Sequence, residues 1–280
     1  MRKFCKSYNP LTTSVKNKNY EIKSFFDFNY NILILTTLNL YDKLKREGVY
    51  LMKAVFFDFD GTLTYKSPNI WKAIWQNCGY DTSRDSYFAM LYKMFLSSQI
   101  THQEWCDLTC YEFRKAGFNY DSLISLAKNL KLIGGIDETL RLLKEQGFHL
   151  FIVSGSIESV IFETLGDKTR YFDGIFANKM HFDEKGLIDF IEGTEYDFEG
   201  KAKFIDDFKT QTKSRPGDLF FVGNSNNDEW AHQAGCRTIC INPEDADVAD
   251  FKKWNKNVGN TNNLNIILPN ILQPFKTQEN

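Results

Sequence analysis

Residues 53–64 read Lys-Ala-Val-Phe-Phe-Asp-Phe-Asp-Gly-Thr-Leu-Thr. The apolar run 54–57 has the aromatic and β-branched side chains of a strand that is buried on both faces, as in the middle of a parallel sheet. Asp58 and Asp60 follow it two residues apart, so on an extended strand both carboxylates point to the same side. Because open α/β sheets bind ligands at the carboxyl ends of their strands, we expect this pair to lie in a binding crevice.

Two carboxylates at this separation repel each other, and both stay ionised only if a positive charge lies between them. A divalent cation with oxygen ligands is the natural candidate. The pattern Asp-x-Asp-Gly also occurs in turns and in calcium-binding loops, but those loops do not follow a buried strand. The stretch therefore favours a cation site at the end of a central strand.

The sequence Asp-Phe-Asp-Gly-Thr-Leu-Thr after an apolar strand resembles the first signature of the haloacid-dehalogenase-like (HAD) phosphohydrolases. In that superfamily the first Asp takes the phosphoryl group and the second is the general acid/base, which implies these roles for Asp58 and Asp60. Dehalogenases of the superfamily need no acid at the second position, because halide leaves without a proton. The presence of Asp60 therefore favours phosphate chemistry.

Two further segments resemble the second and third signatures, in the expected chain order. The apolar run 148–153 predicts a buried strand that is followed by Ser-Gly-Ser at 154–156. A hydroxyl and free backbone N–H groups at the head of the next helix would form an anion site there. Lys201 opens a later helix, where the third signature has a lysine that pairs with the phosphate and the nucleophile. Lys203 is the less favoured alternative, because it would point elsewhere on that helix.

Residues 219–222 predict another buried strand, and Gly-Asn-Ser-Asn-Asn-Asp follows at 223–228. This resembles the fourth signature, Gly-Asp-x-x-x-Asp, whose acids complete the magnesium shell. Asn224 replaces the first acid, whereas Asp228 remains. An amide oxygen can bind a hard cation but brings no charge, so we expect a weakened Mg²⁺ site rather than a lost one. The predicted site residues are Asp58, Asp60, Ser154 and Lys201 for catalysis, Gly61, Thr62, Ser154, Gly155, Lys201 and Asn227 for phosphate binding, and Asp58, Asp60, Asn224 and Asp228 for the metal.

Helical patterns fill the segment between the first signature and the second strand. Apolar residues recur at helical spacing after Ile70 and again within 87–96. Thr101 and Glu104 form a capping box at the start of a third helix, and a fourth covers about 121–130. Such an insertion does not fit simple β-α-β alternation and favours a helical cap. Helices belonging to the core of one domain are the alternative.

Regular alternation follows the helical segment. It consists of a helix at 137–146, a β-hairpin within 175–191 and a strand at 237–241 that closes the sheet, and we expect the tail from Pro243 to pack on the surface. The predicted fold is α/β, a Rossmann-like doubly wound parallel sheet with an inserted α-helical cap. The predicted boundaries are 1–51 for an N-terminal extension, 52–64 and 135–280 for the core, and 65–134 for the cap.

Residues 1–51 differ in composition from the rest of the chain. They hold nine Lys and Arg residues against four acidic ones and show no clear periodicity. A transit peptide would show an Arg bias and an amphipathic helix, and neither is present. We expect an extension that is disordered or untranslated, with Met52 as the true start.

The composition is that of a globular chain of 280 residues, with 42% hydrophobic and 25% charged residues. A net charge of −2 argues against nucleic-acid binding through phosphate contacts. No apolar run approaches the roughly 20 residues of a membrane helix. The six cysteines include no C-x-x-C pair, which favours free thiols in a reducing, cytoplasmic setting.

The helical cap and the Val-Ser-Gly-Ser segment are most similar to the phosphoserine-phosphatase-like branch of the superfamily, subfamily IB. The resemblance implies a Mg²⁺-dependent phosphatase that hydrolyses a small phosphorylated metabolite through an aspartyl-phosphate. Ser67 stands where phosphoserine phosphatases have a Glu that helps recognise the amino acid, and neither Arg84 nor Arg114 can be assigned to a substrate carboxylate. The phosphomonoester and the oligomeric state therefore stay open. The alternatives are a phosphotransferase or mutase of the same fold, or a non-catalytic phosphate-binding module.

Overall fold

The computed structural model describes residues 52–67, 69–245, 248 and 254–273. The predicted extension, residues 1–51, lies outside the described residues. The strands are β1 (Lys53–Phe57), β2 (Phe148–Ile157), β3 (Gly174–Phe182), β4 (Ile188–Glu192), β5 (Leu219–Gly223), β6 (Arg237–Cys240) and β7 (Lys256–Asn257). The α-helices are α1 (Ile70–Asn77), α2 (Tyr87–Leu96), α3 (His102–Lys115), α4 (Tyr120–Lys128), α5 (Ile136–Glu145), α6 (Glu158–Leu165), α7 (Glu199–Thr212) and α8 (Leu268–Leu272).

The strands form a seven-stranded sheet with β1 at its centre, in the order β4-β3-β2-β1-β5-β6-β7. Neighbouring strands of the described chain run parallel, except for the antiparallel β3–β4 hairpin. Parallel neighbours have their carboxyl ends at the same edge of the sheet. The predicted α/β class with a mostly parallel sheet is confirmed.

The apolar run of β1 lies at the centre because both of its faces are covered. Residues 54–57 are each 0% exposed. Val55 and Phe57 belong to the core cluster that includes helices α5 and α6, whereas Phe56 packs on the other face against α7. The ring of Phe56 lies 5.2 Å from that of Phe208, edge to face. Helices on both faces of a parallel sheet are the doubly wound arrangement that the sequence predicted.

Helices α1 to α4 follow β1, and each begins at a residue whose side chain caps it. Asn69, Ser86, Thr101 and Asn119 all accept a hydrogen bond from a backbone N–H of the first turn. The capping box at Thr101 is complete, as predicted. Such caps satisfy N–H groups that have no partner within the helix.

The helical segment shares an apolar core with the sheet. Trp75 is 0% exposed and packs against Phe113 at 5.2 Å between ring centroids. These residues belong to the same buried cluster as Val55 and Phe57. The division into a core and a cap at 65–134 stays a prediction, because the apolar cluster is continuous across the proposed boundary.

The chain leaves and rejoins the sheet at adjacent points. Thr64 and Leu132 form an antiparallel bridge. The N–H of Tyr65 donates to the carbonyl of Lys131 at 2.7 Å, and the N–H of Ile133 donates to the carbonyl of Leu63 at 2.9 Å. The first and last residues of the helical segment therefore lie next to each other, at the distance between two neighbouring strands.

Two of the strands differ from the sequence prediction. Strand β2 continues to Ile157 instead of ending at Val153, since Ile157 pairs with Asn178 of β3 and the Asn178 side chain bonds to backbone carbonyls of β2. Strand β6 does not close the sheet either, because Lys256–Asn257 adds a further parallel edge strand.

The tail after Pro243 was expected to pack on the surface, and this is wrong. Trp254, Leu264, Ile267 and Ile271 are buried. Leu264 and Ile267 join the cluster that covers one face of the sheet. Of the helices in the described ranges, none combines the length and apolar character required to cross a membrane.

Candidate active site

Three neighbouring strands bring the predicted site residues together at one edge of the sheet. Asp58 follows β1, and its N–H donates to the carbonyl of Val222 in β5 at 2.9 Å, which continues the strand pairing. Ser154 lies in β2, and Asn224 follows β5. Because β2, β1 and β5 are adjacent and parallel, these residues meet at the same edge of the sheet although they are far apart in the sequence. Lys201 reaches the same place from the first turn of α7.

Lys201 is the buried cation of the site. It is 0% exposed, and its Nζ lies 3.1 Å from Asp58 Oδ1 and 2.5 Å from Asp228 Oδ1. Asp197 is more distant, at 4.0 Å. Burial alone would lower the pKa of Lys201, but the charges of Asp228 and Asp58 outweigh it and raise that pKa above its ordinary value. The ammonium therefore stays charged at neutral pH.

The two carboxylates of the first signature have different surroundings. Burial, and then the charge of Asp228, raises the pKa of Asp58 above its usual range, although Lys201 acts in the opposite direction. Burial raises the pKa of Asp60 to about 6. Oδ1 of Asp60 is buried and has no hydrogen-bond partner among the described residues. A buried polar atom without a partner marks a position where a ligand or ion can bind.

Asp228 holds the loop after β5 and neutralises Lys201. Its Oδ2 accepts hydrogen bonds from the N–H groups of Asn224 at 2.9 Å and Ser225 at 3.0 Å, while Oδ1 accepts from Lys201. Both of its oxygens are thus occupied by protein donors. Asn224 directs Oδ1 toward the Thr62 hydroxyl, which donates to it at 3.3 Å.

The donors at this position fit a hard divalent cation. Asp58 and Asp60 could supply oxygens, and Asn224 could supply its amide oxygen. In the part of the chain that the structure describes, no three His, Cys, Asp or Glu side chains form a group able to hold a metal. The Asp228 carboxylate, the fourth predicted ligand, accepts from Lys201 and from two backbone N–H groups, and its place in a metal shell stays a prediction. Gly61 has a φ of +78°, and a Cβ there would collide with the Asn224 amide, so a glycine is required beside this donor.

The residues predicted to bind phosphate lie in the site, but several of their polar groups bond within the protein. The N–H of Gly61 donates to the Thr64 hydroxyl at 2.9 Å, and the N–H of Thr62 donates to the Phe59 carbonyl at 3.2 Å. Nδ2 of Asn227 donates to Asp197 Oδ1 at 2.5 Å.

Ser154 and Gly155 reach the cavity from a strand and not from a helix end. Helix α6 begins at Glu158, four residues after Ser154, so the helix N-terminus that the sequence predicted at 154–156 is displaced. A Cβ at Gly155 would collide with a carboxylate oxygen of Asp197. Gly155 thus allows the Asp197 carboxylate to lie directly against the backbone of β2.

Asp197 is a site residue that the sequence interpretation left without a role. It lies beside Lys201, accepts from Asn227 and lines the same cavity as Asp58. Its position in the loop that leads directly into the helix of Lys201 was the available signal, because side chains at a helix entry lie close to those of its first turn. The following residue, Phe198, has a φ of +47°, which turns the chain into α7.

A cavity of about 1300 Å³ opens over these groups. Asp58, Asp60, Ser154 and Asn224 form its floor, while Lys201 lies behind Asp58. The remaining walls come from helices α1 to α3 and from loops at 242–244 and 260–262.

The fold and the paired carboxylates define a class of enzyme, and the comparisons agree with it. The model of the haloacid dehalogenase-like hydrolase family matches residues 55–229. The chain belongs to this family of hydrolases.

The fold is further similar to those of solved phosphoserine phosphatases. A structure described as a phospho-aspartyl intermediate analogue of phosphoserine phosphatase matches with a TM-score of 0.61 at 19% identity, over 79% of this chain and all of that one. A substrate-bound phosphoserine phosphatase matches with a TM-score of 0.60 at 18% identity, over 80% of this chain and all of that one. A predicted phosphatase from Clostridium acetobutylicum matches with a TM-score of 0.54 at 17% identity, over 80% and 99%. No curated protein sequence matches the chain significantly. The prediction of a HAD-like hydrolase with a phosphoserine-phosphatase-like fold is confirmed.

Proposed function

We propose that this chain is a Mg²⁺-dependent phosphatase that hydrolyses a small phosphomonoester through an aspartyl-phosphate on Asp58. The observation that carries the proposal is the buried contact of 3.1 Å between Lys201 Nζ and Asp58 Oδ1, with Asp60 beside them on one cavity floor. A nucleophilic carboxylate, a fixed cation and a second carboxylate with a raised pKa are the groups that this chemistry needs.

In the first step an oxygen of Asp58 attacks phosphorus in line with the ester oxygen. The new bond forms between Asp58 and phosphorus while the bond between phosphorus and the ester oxygen breaks. Asp60 gives its proton to the departing alkoxide, which leaves as the alcohol. Burial raises the pKa of Asp60 to about 6, so this group holds a proton more readily than an ordinary aspartic acid. Burial raises the pKa of Asp58 further, and the positive charge of Lys201, which lowers that pKa, favours its ionised, nucleophilic form.

In the second step Asp60, now ionised, takes a proton from water. The water oxygen attacks phosphorus, the acyl-phosphate bond breaks, and inorganic phosphate leaves with the Asp58 carboxylate restored. Lys201 stays charged throughout and stabilises negative charge next to Asp58. Ser154 lies at the cavity wall, where its hydroxyl can donate to a phosphate oxygen.

Asp58 and Asn224 would hold Mg²⁺ through side-chain oxygens and Asp60 through its backbone carbonyl, which leaves the Asp60 carboxyl free to carry the proton of the first step. The ion supplies positive charge that offsets the charge of the phosphate oxygens. Asp228 contributes indirectly, by holding Lys201 and the backbone of the loop that carries Asn224.

The proposal is tested by phosphate release from a panel of phosphomonoesters, with the full chain, in Mg²⁺ and in EDTA. We expect release that requires Mg²⁺ and that falls by about 10³-fold or more in Asp58→Asn. Asp207→Asn is the matched control, because Asp207 is an exposed carboxylate on α7 and should leave release unchanged. Borohydride reduction of acid-quenched enzyme should modify Asp58 in the wild type.

Unchanged turnover in Asp58→Asn would refute the covalent mechanism. Transfer of the phosphoryl group to an added alcohol without phosphate release would identify a phosphotransferase. The absence of phosphate release from every compound of the panel would favour a non-catalytic phosphate-binding module.

A further inference from the structure

The wall of the cavity that faces the carboxylates comes from one side of helix α2. Phe88, Tyr92, Phe95 and Leu96 all line the cavity. Their spacing of four, three and one residues places them on one face of a helix. The same helix is held to the protein through Leu91, which is 2% exposed. Leu91 lies beside Phe88 and Phe95 on this face, and those two rings also pack against the apolar cluster. The more exposed Tyr92 and Leu96 form the part of the face that is open to the cavity.

The apolar side chains on this wall are accessible. Tyr92 is 39% exposed and Leu96 is 50% exposed, although both are large and face a cavity that is lined by charged groups at its floor. Exposed apolar groups that gather in a cavity mark a binding surface more often than isolated ones do.

The ring of Phe95 is fixed by its neighbours. It lies 5.3 Å from the ring of His102, 6.4 Å from that of Trp105 and 5.9 Å from that of Phe198. Trp105 is itself buried against Trp71, with 4.9 Å between the ring centroids. The Phe95 side chain is therefore already held in place, so a ligand that packs on it does not have to offset the loss of side-chain entropy.

The described lining of the cavity has no guanidinium that could hold a ligand carboxylate through two parallel hydrogen bonds. In the described ranges no arginine lines it. Arg114 is committed to the β-hairpin, where it donates to the carbonyl of Ile188 at 2.5 Å and pairs with Asp183 at 3.1 Å. Burial lowers the pKa of His102, so this imidazole is neutral at pH 7. The Ser67 hydroxyl is used by backbone groups, since it accepts from the N–H of Lys131 at 3.1 Å.

The charged side chains on the remaining walls include both signs, so they give no net preference for a positively or a negatively charged ligand. Lys66 and Lys72 line the cavity as exposed cations, and Asp197 and Glu244 line it as anions. The feature that distinguishes this cavity is thus the row of apolar side chains on α2 and not its charge.

We propose that the cavity selects phosphomonoesters whose leaving alcohol carries a planar aromatic ring, which packs against Tyr92 and Phe95. The proposal rests on the proposed function for the position of the phosphate end, near Asp58 and Lys201. Contacts between aromatic rings in edge-to-face or offset-stacked geometry add to the binding free energy beyond the contribution of the buried apolar area. The ring would also cover Leu96, which removes exposed apolar surface from water.

The test measures binding with phosphonates, because a bond between carbon and phosphorus cannot be hydrolysed at this site. The full chain in Mg²⁺ is titrated by calorimetry with 2-phenylethylphosphonate, ethylphosphonate, 2-(trimethylammonio)ethylphosphonate and the phosphonate analogue of phosphoserine. We expect the phenyl compound to bind at least about tenfold more tightly than ethylphosphonate. Tyr92→Ala should reduce this preference by about three- to tenfold, whereas Tyr92→Phe should keep it.

The control variant is Met90→Ala. Met90 lies on the same helix, is 47% exposed and does not line the cavity, so its truncation should leave all four affinities unchanged. Unchanged affinity of Tyr92→Ala for ethylphosphonate will show that the phosphate end of the site is intact.

Three results would overturn the inference. The first is equal affinity for the phenyl and ethyl compounds, and the second is failure of all four phosphonates to bind. The third is tighter binding by the trimethylammonium compound, which would indicate a cation over the aromatic wall, or by the phosphoserine analogue. Failure of the proposed function looks different. In that case the phenyl compound binds tightly and selectively, but no phosphate is released from 2-phenylethyl phosphate.

Discussion

Replacement of Lys201 by methionine removes the buried cation and leaves its two carboxylate partners without compensation. Lys201 Nζ lies 3.1 Å from Asp58 Oδ1, and at this distance the Coulomb attraction is about 5 kcal/mol with an effective dielectric constant of about 20. The contact with Asp228 is shorter, at 2.5 Å. The cost of burying the ammonium, several kcal/mol, offsets much of this attraction. We therefore expect Lys201→Met to lower the free energy of unfolding by about 3–5 kcal/mol, as when one partner of a buried ion pair is removed.

The assay is urea unfolding of the full chain in EDTA at pH 6 and at pH 9. Burial raises the pKa of Asp58 to about 8 and Lys201 lowers it, so loss of Lys201 raises that pKa further. A carboxyl whose pKa is higher in the folded state than in the unfolded state stabilises the fold when it is protonated and loses this contribution as pH rises. At pH 6 Asp58 is protonated in both folded proteins, whereas at pH 9 the variant still holds a proton that the wild type has largely lost. The deficit of the variant should therefore be smaller at pH 6 than at pH 9.

Lys203→Met is the matched control for this substitution. Lys203 lies two residues away on the same helix, and its side chain is 65% exposed in an ion pair with Glu195 at 2.7 Å. Exposed pairs of this kind contribute at most about 1 kcal/mol. An equal loss in the two variants, or a deficit of Lys201→Met that is larger at pH 6 than at pH 9, would refute the reasoning.

Three further predictions concern the metal, acid stability and the helical segment. Asn224→Asp adds a charged ligand and should tighten Mg²⁺ binding about tenfold by calorimetry, and an unchanged affinity would contradict its assignment as a ligand. Asp173 is partly buried, which would raise its pKa, but its hydrogen bonds, including that from Lys144, lower the pKa to about 2. The ionised Asp173 stabilises the fold above the unfolded pKa, and this contribution is lost as pH falls from about 4 toward 2. Asp173→Asn should therefore lower the free energy of unfolding by about 1 kcal/mol at pH 7 and by less at pH 3. The same loss at both pH values would contradict this assignment. Thr101→Ala removes the N-cap that pairs with Glu104 and should cost about 1 kcal/mol by urea unfolding, and an unchanged free energy of unfolding would contradict a stabilising role for this cap.

The features that the sequence predicted correctly are those with local chemical causes. The run 54–57 is apolar because both faces of β1 are covered, and Thr101 with Glu104 forms a cap whose partners lie three residues apart. The convergence of Asp58 with Asn224 follows from two adjacent parallel strands, each of which could be identified from its own residues.

The errors arose where distant residues decide the outcome. The helix after β2 begins at Glu158 because Asn178, on the next strand, bonds to the backbone at Gly155 and keeps this segment extended. A contact that the sequence did not predict, between Lys201 and Asp228, likewise joins residues that are far apart in the chain.

The error in the tail has a different cause. Leu264, Ile267 and Ile271 recur at three- and four-residue intervals, which is a helical pattern, but they are surrounded by asparagines. The polar composition of the segment concealed three side chains that the structure buries.

The antiparallel bridge between Thr64 and Leu132 bears on how such a protein can diverge. Because the two ends of the helical segment meet side by side, an insertion of another length closes at almost the same entropic cost, about 0.6 kcal/mol for each doubling. A different segment can thus replace this one without displacing the strand ends, provided that it covers the same apolar face of the sheet. Substitutions that alter substrate preference can therefore accumulate in the helical segment alone. The proposed reacting groups are encoded on either side of that segment and can stay under separate selection.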